Sequence, residues 1–368
     1  MLLTTLFYIF LIAVLIQFGF YVFIFGKFSF LKKQKTTPNN FPISVIIAAK
    51  NEALNLIETI PAILDQNYIH FELILINDAS SDETLKIMQS FEAQNDCVKI
   101  ITIEASSTYN GNKKNALSKG IEVATFSHLL FTDADCKPLS ENWITEMASN
   151  FTNTKKIVLG YGAHQKINNS FLNKFIRYET LITAIQYFSY AQLGIPYMGV
   201  GRNLAYHKSL YLQNNGFESH EHIKSGDDDL LISEIATQQN TAICFSKDSF
   251  TRSAPKATIR QWFLQKRRHI STASIYKPIH QFLLGLFFSS QLLFWCLAII
   301  LLVCAFNWFI VIPLVLIRLI TQYIIFTKSA LKLDEKDLIV FIPVLDFLLV
   351  FAQLSLFITN LASKPKHW

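Results

Sequence analysis

Hydrophobic positions along this chain follow two patterns. At both ends they run unbroken for twenty residues or so; in the middle they form short blocks separated by polar turns and helical periods. Ile43-Ser44-Val45-Ile46-Ile47-Ala48-Ala49 is β-branched and short enough to be a buried strand. A helical pattern follows from Ala53 to about Gln66, then a second strand over Phe71–Asp78. Ser80-Ser81-Asp82-Glu83-Thr84 supplies N-cap residues for a helix reaching about Asn95. Val98–Ile103 reads as a third strand, Asn112–Ala124 as a helix and His128–Thr132 as a fourth strand. Strands alternating with helices of this length predict βαβ units and a parallel sheet, with ligands beyond the carboxyl ends of the strands.

Beyond Trp143 the pattern loosens. Ile157–Tyr161 is expected to be an antiparallel strand, Leu230–Gln238 a helix opened by the acidic run Ser225–Asp229, and Ile243–Phe245 a short strand. Phe171–Ala191 reads as an amphipathic helix, in the core or at a membrane interface.

The terminal runs have the length of membrane spans: Leu2–Phe25, Phe282–Phe306, Phe309–Phe326 and Leu338–Ile358. Leu2–Phe25 lacks the basic start and the cleavage site of a signal peptide. Lys27, Lys32, Lys33 and Lys35 follow it, so the positive-inside rule places the N-terminus outside and the middle of the chain in the cytoplasm. Lys328, Lys332 and Lys336, read as a loop between the last two spans, agree with this; Lys364 and Lys366 at the C-terminus argue against it. The expected organisation is a span over residues 1–26, a domain over 40–275 after the linker Thr36–Pro42, and three spans over 280–362.

Composition sharpens this picture. The chain is 51% hydrophobic with 32 Phe, an excess concentrated at the two ends. Net charge is +6, but no long basic run with interleaved aromatics occurs, which disfavours nucleic-acid binding. Cys97, Cys136, Cys244, Cys296 and Cys304 are odd in number and lack CxxC spacing, so they read as reduced thiols rather than disulfides or a zinc site.

The chemistry centres on Leu129-Leu130-Phe131-Thr132-Asp133-Ala134-Asp135-Cys136. On an extended strand, Asp133 and Asp135 point to one side, where both can share a hard divalent cation, or one can take the cation and the other a sugar hydroxyl. The same octet is also compatible with a strand followed by an Asp-rich turn. Further polar residues fall at the predicted strand ends: Lys50, Asn51 and Glu52 after the first, Asp78 after the second.

The order of these clusters resembles the inverting, nucleotide-sugar-dependent glycosyltransferases of family 2, with the GT-A fold. SVIIAAKNEALNL looks like that family's first strand and nucleotide-contacting turn, INDASSDET like its second, and FTDADC like its D-x-D. NKKNAL is similar to GKxxAL with Asn112 in place of glycine; SGDDDLL is similar to E-D-x-D-L with Gly226 in place of glutamate. Gln265-Lys266-Arg267-Arg268-His269 is close to Q-x-x-R-W, with His269 for tryptophan. The likeness covers about Ile43 to His269.

The resemblance implies an α/β fold, a GT-A nucleotide-diphospho-sugar transferase domain with a Rossmann-like mixed sheet plus transmembrane helices. It assigns donor contacts to Ala49, Asn51, Glu52, Asp78, Lys113 or Lys114, Asp133, Arg267 and Arg268, with Asp78 accepting from uracil. Lys50 joins this nucleoside group, and arginine suits phosphate. Asp135 becomes the direct ligand of Mg²⁺ or Mn²⁺, with Asp133 on the ribose or sugar, or reaching the metal through water. Aligning Asp229-Leu230 with the family's D-L pair makes Asp227 the base, the favoured register; the other register makes it Asp228. Gly199, Gly201, Arg202 and Asn203 resemble an acceptor-side G-x-G-x-N loop. The implied protein is a metal-dependent, hexosyltransferase-type glycosyltransferase in a bacterial inner membrane, with its catalytic domain cytoplasmic. It moves a sugar from a UDP-sugar to a lipid or lipid-linked glycan, in polysaccharide or glycolipid biosynthesis. A processive polysaccharide synthase and a non-catalytic membrane scaffold are the rival readings.

Overall fold

A computed structural model describes residues 1–32, 39–106, 109, 111–223 and 225–363. Lys33, Lys35, Lys364, Lys366 and the first part of the expected linker lie outside the described residues. Two compact units are present. Among the described residues, one comprises Met1–Lys32, Ile167–Leu193 and residues 256–363; the other comprises residues 39–166 and Gly194–Pro255.

The second unit is built on a seven-stranded sheet. Its strands are β1 (Ile43–Ala49), β2 (Phe71–Asp78), β3 (Val98–Ile103), β4 (His128–Phe131), β6 (Ile157–Leu159), β8 (Leu204–His207) and β9 (Thr241–Ile243), in the order β3-β2-β1-β4-β8-β6-β9. The three remaining strands, β5 (Cys136–Pro138), β7 (Gly162–His164) and β10 (Thr251–Ser253), form a small sheet ordered β5-β10-β7. β1 is paired in parallel on both sides, Ile43 opposite Phe71 of β2 and His128 of β4. Such a strand is apolar throughout because both faces are covered, and Val45, Ile46 and Ile47 are fully buried. From β1 the chain winds outward through β2 to β3 and returns to β4 on the other side. The crevice of a doubly wound sheet opens at that reversal, at the carboxyl ends of β1 and β4. β8 then runs antiparallel to both β4 and β6, which makes the sheet mixed.

Trp143, Ile144, Met147, Leu56, Ile60 and Ile63 cover one face of the sheet. Beneath it, Glu72 of β2 is buried and ties four segments together. Ser44 Oγ donates to its Oε1 at 2.6 Å and Thr125 N at 2.7 Å, while Lys99 Nζ lies 2.7 Å from Oε2.

The other unit holds four helices long and apolar enough to cross a membrane: Leu2–Ser29, Pro278–Val303, Trp308–Lys332 and Lys336–Ala362. The expected basic loop before the last of them is a correction. The third helix runs on to Lys332, whose Nζ donates to the carbonyls of Phe28 and Leu31 at 2.6 and 2.5 Å. Carbonyls at a helix end lack intrahelical donors, and a lysine there satisfies them.

A polar network runs through this apolar unit. Arg318 Nη2 donates to Asp346 Oδ2 at 3.1 Å, to Tyr21 Oη at 2.7 Å and to Gln17 Oε1 at 3.0 Å. Asp346 Oδ1 accepts from Gln291 at 2.6 Å, Gln322 at 2.7 Å and Tyr178 at 3.3 Å. All four apolar helices and the Phe171–Gln192 helix contribute. That fifth helix is a core element of its unit: Arg177 is buried and pairs with Glu335 and Asp337.

Candidate active site

β4 ends at Phe131, so Asp133 and Asp135 do not continue an extended strand. Cys136 N donates to the Asp133 carbonyl at 2.9 Å, closing a turn. The turn still gathers the acids: one ligand atom each from Asp133, Asp135 and Cys136 lies within 4.8 Å of the others. Cys136 is buried, its thiol donates to Asp135 Oδ1 at 3.2 Å, and burial and the flanking carboxylates push it well above the ordinary thiol range. A thiol is a soft ligand, whereas the carboxylates are hard oxygen donors of the kind Mg²⁺ and Mn²⁺ take. This donor set fits such an ion.

The acidic triplet approaches the same turn. Gly226 has φ +97°, a left-handed conformation that a glutamate adopts only with strain. The helix that follows starts at Asp229 and ends at Ile235, shorter than the expected run to Gln238. Asp228 is its N-cap. It spends both oxygens on backbone, Oδ1 on Asp229 N at 2.8 Å and Oδ2 on Gly201 N at 2.6 Å. Burial, then repulsion from Asp227 and Asp229, raises its pKa to about 8.

Lys113 joins the two acidic groups. Its Nζ lies 2.8 Å from Asp133 Oδ1 and 2.8 Å from Asp227 Oδ2. Desolvation opposes its charge, but Asp133, Asp227 and Asp228 override that and hold its pKa well above the usual lysine value. Asn112 explains the departure from glycine at the helix start: its side chain accepts from Lys114 N and Asn115 N as an N-cap. Gly201 completes the floor. A Cβ there would stand 3.3 Å from Lys113 Nζ, 3.4 Å from Asp228 Oδ2 and 3.5 Å from Asp227 Oδ2. Lys113, Asp133, Gly201, Asp227 and Asp228 thus line one concavity with Phe131, Thr132 and Tyr206.

Lys114 points elsewhere. Its buried Nζ donates to the carbonyls of His220 and Ile223 at 2.6 and 3.0 Å, fixing the segment that leads into the triplet. Asn203 is fully buried; it donates to Tyr161 O and Ser249 O and accepts from Trp143 Nε1. Arg202 donates to the Ala163 carbonyl at 3.0 Å. These two side chains hold the loop, and Gly201 places its half-buried backbone against Asp228.

At the ends of β1 and β2 the two predicted turns are stitched together. Ser81 N donates to Asn51 Oδ1 at 2.8 Å and Glu52 N to Thr84 Oγ1 at 2.8 Å, with Ala49 and Asp78 buried. The sequence reading missed Tyr109, whose hydroxyl donates to Asp78 Oδ1. Arg267 and Arg268 belong to the other unit, on the Ile259–Thr272 helix. There Arg267 Nε donates to Asn360 Oδ1 at 2.8 Å and its Nη2 to Ser363.

Residues 44–211 match the family model described as Glycosyl transferase family 2. Over 93 residues the chain is 36% identical to the poly-beta-1,6-N-acetyl-D-glucosamine synthase of Staphylococcus epidermidis, covering 25% of this chain and 21% of that protein. Over 148 residues it is 30% identical to the protein of the same name from Staphylococcus aureus (strain COL), covering 39% and 34%. The matched stretch therefore spans only a minor part of these relatives. Among solved structures, a mannosyltransferase from Pyrobaculum calidifontis in complex with GDP-Man and Mn2+ superposes with a TM-score of 0.59 at 17% identity, covering 93% of this chain and 99% of that one. That likeness establishes the fold as GT-A-like.

Proposed function

We propose, from the match of residues 44–211 to the family model Glycosyl transferase family 2, that the chain is an inverting, metal-dependent enzyme that moves a sugar from a UDP-sugar to a lipid or lipid-linked glycan. The observation that carries the reading is Lys113, 2.8 Å from an acid of the metal turn and 2.8 Å from an acid of the triplet. It makes one site of two motifs nearly a hundred residues apart.

Asp135, with Asp133 beside it, would hold Mg²⁺ or Mn²⁺, which supplies positive charge against the diphosphate leaving group. Asp227 takes the proton of the acceptor hydroxyl as that oxygen bonds to the anomeric carbon. The bond from that carbon to the diphosphate oxygen breaks on the opposite face, and its electron pair leaves with the nucleotide. Asp227 is preferred to Asp228 because Asp228 commits both oxygens to backbone N–H groups. Asn51, Glu52 and Asp78 bind the nucleoside and Gly201 borders the acceptor. Arg267 and Arg268 are assigned to the diphosphate on the motif Gln265–His269. The catalytic domain, over about residues 40–275, would face the cytoplasm of a bacterial inner membrane; Lys27 in the last turn of the first apolar helix and Lys32 just after it support this side.

Asp135→Asn and Asp227→Asn should each abolish transfer while the melting temperature stays near that of the parent. Full activity in both variants would overturn the site.

A second reading, a processive polysaccharide synthase, draws support from the partial similarity to the two staphylococcal synthases. His269, in place of the family's tryptophan, weighs against it. Product length separates the two: one added sugar supports the first reading, a ladder the second.

A further inference from the structure

Tyr109 lies outside every motif discussed above, yet it controls the carboxylate assigned to the nucleobase. Its oxygen accepts from Asn112 N at 3.1 Å and from Asn115 Nδ2 at 3.2 Å. Both acceptor positions of the phenol are then filled, and its single proton has one destination, Asp78 Oδ1 at 2.5 Å. Asp78 is 5% exposed and anchored at the end of β2, so this bond fixes its rotamer as well as occupying one oxygen.

The other oxygen faces Gly111. A Cβ on that residue would sit 3.2 Å from Asp78 Oδ2 and 2.7 Å from Lys50 Nζ. The absence of a side chain is what lets the Gly111 backbone approach this carboxylate oxygen and the Lys50 ammonium so closely. Gly111 has φ +83°, so substitution there is strained as well as crowded.

We propose that Tyr109 is a positioning residue that sets nucleobase specificity, by withholding Asp78 Oδ1 and presenting Oδ2 beside Lys50 to a base edge carrying one N–H next to a carbonyl. This rests on the proposed role of Asp78. Uracil presents that edge: its imide N–H donates to Oδ2 and an adjacent carbonyl accepts from Lys50. Guanine offers two adjacent donors, its ring N–H and its amino group, which together need both carboxylate oxygens. Cytosine presents a bare ring nitrogen to the carboxylate, and two acceptors repel. A site built to hydrogen-bond one pattern rejects the others because its buried polar groups are left unpaired.

The test is competitive binding of UDP, GDP, CDP and N3-methyl-UDP to the full-length protein in detergent with Mn²⁺, comparing the parent, Tyr109→Phe and Asp78→Asn. The parent should prefer UDP to GDP and to N3-methyl-UDP. Tyr109→Phe frees Oδ1, so it should weaken UDP by about 10-fold and narrow the UDP/GDP ratio, with little effect on N3-methyl-UDP. In turnover assays the change should fall on donor KM more than on kcat. If Tyr109→Phe leaves the UDP/GDP ratio unchanged while Asp78→Asn weakens UDP, the inference fails and the reading of Asp78 survives. If Asp78→Asn leaves UDP binding intact, the reading of Asp78 itself fails. Tyr109→Phe melting at the parent's temperature rules out simple misfolding.

Discussion

Lys113 holds Asp227 through a 2.8 Å ion pair, and the same ammonium reaches Asp133 on the Asp133–Cys136 turn at 2.8 Å. A divalent cation entering at Asp133 must therefore compete with a lysine already there. Lys113→Gln should bind Mn²⁺ in the absence of donor about 10-fold more tightly yet transfer sugar more slowly, because Asp227 loses its counterion. Titration calorimetry with Mn²⁺ alone, beside a transfer assay, checks both halves; unchanged metal affinity would show that the lysine does not compete.

Asp228 sets a pH dependence with a defined sign. Its pKa is raised from 3.8 to about 8 by burial, then by its acidic neighbours. The native state thus holds a proton that the unfolded chain releases near pH 4. Its contribution is fully present below pH 4 and is lost as pH rises toward 8. Melting curves of metal-free protein should show this decline, and Asp228→Asn should flatten it. A parallel decline in both proteins would assign it to other groups.

Gly201 tests the crowding of the site without touching a charge. Gly201→Ala sets a methyl 3.3 Å from Lys113 Nζ, tight but adjustable because lysine is flexible. It should fold normally and lose activity by roughly 10-fold, since an ångström of misplacement at reacting groups is costly. Gly201→Val should lose far more activity at similar melting temperature. Equal activity in all three would remove Gly201 from the site.

Glu72 is a structural carboxylate far from this chemistry. Burial opposes its charge, but the bonds from Lys99, Ser44 and Thr125 outweigh that and hold its pKa below the usual carboxylate value. Its stabilisation is therefore present above about pH 4.5 and lost in acid. Glu72→Gln should cost about 1–3 kcal/mol at neutral pH, read from chemical denaturation, with the difference from the parent shrinking in acid.

The ion pair in the apolar unit invites a double-mutant cycle. Asp346→Leu or Arg318→Met alone strands a buried charge and should cost about 3–5 kcal/mol, seen as loss of detergent-stable protein. The double variant removes both charges and should recover a large part of that stability. If it is worse than either single change, the network acts through its glutamine and tyrosine hydrogen bonds instead.

The first half of the catalytic unit was legible because parallel strands buried on both faces are written as continuous apolar blocks: the bounds read for β1, β2 and β3 are those observed. Past Trp143 the strands shrink to three or four residues, too short for a period, and the strand expected at Ile243–Phe245 is instead Thr241–Ile243, set by pairing with β6. Site residues carried by motifs, Asp133, Lys113 and Asp227, converge; their convergence depends on a turn and a loop that no pattern encodes. Tyr109 escaped because it acts through Asp78 from between motifs. Arg318 and Asp346 escaped because one charge in a long apolar run does not change its reading as a span, although a charge at such a position is costly and so is itself a signal.

That pair has a consequence for how the chain is made. Arg318 leaves the ribosome before Asp346, and the guanidinium has no carboxylate until the last apolar helix exists. In a chain that inserts its helices in order, the third helix enters the bilayer with Gln322 of its own turn and Gln17 and Tyr21 of the first helix as partners of Arg318. Asp346 then arrives last, and its arrival joins all four helices to the Phe171–Gln192 helix. A truncation before Asp346 should leave a cation in lipid that quality-control proteases can recognise. The network would thus act as a completion mark, marking assembly as finished only when the final helix is in place.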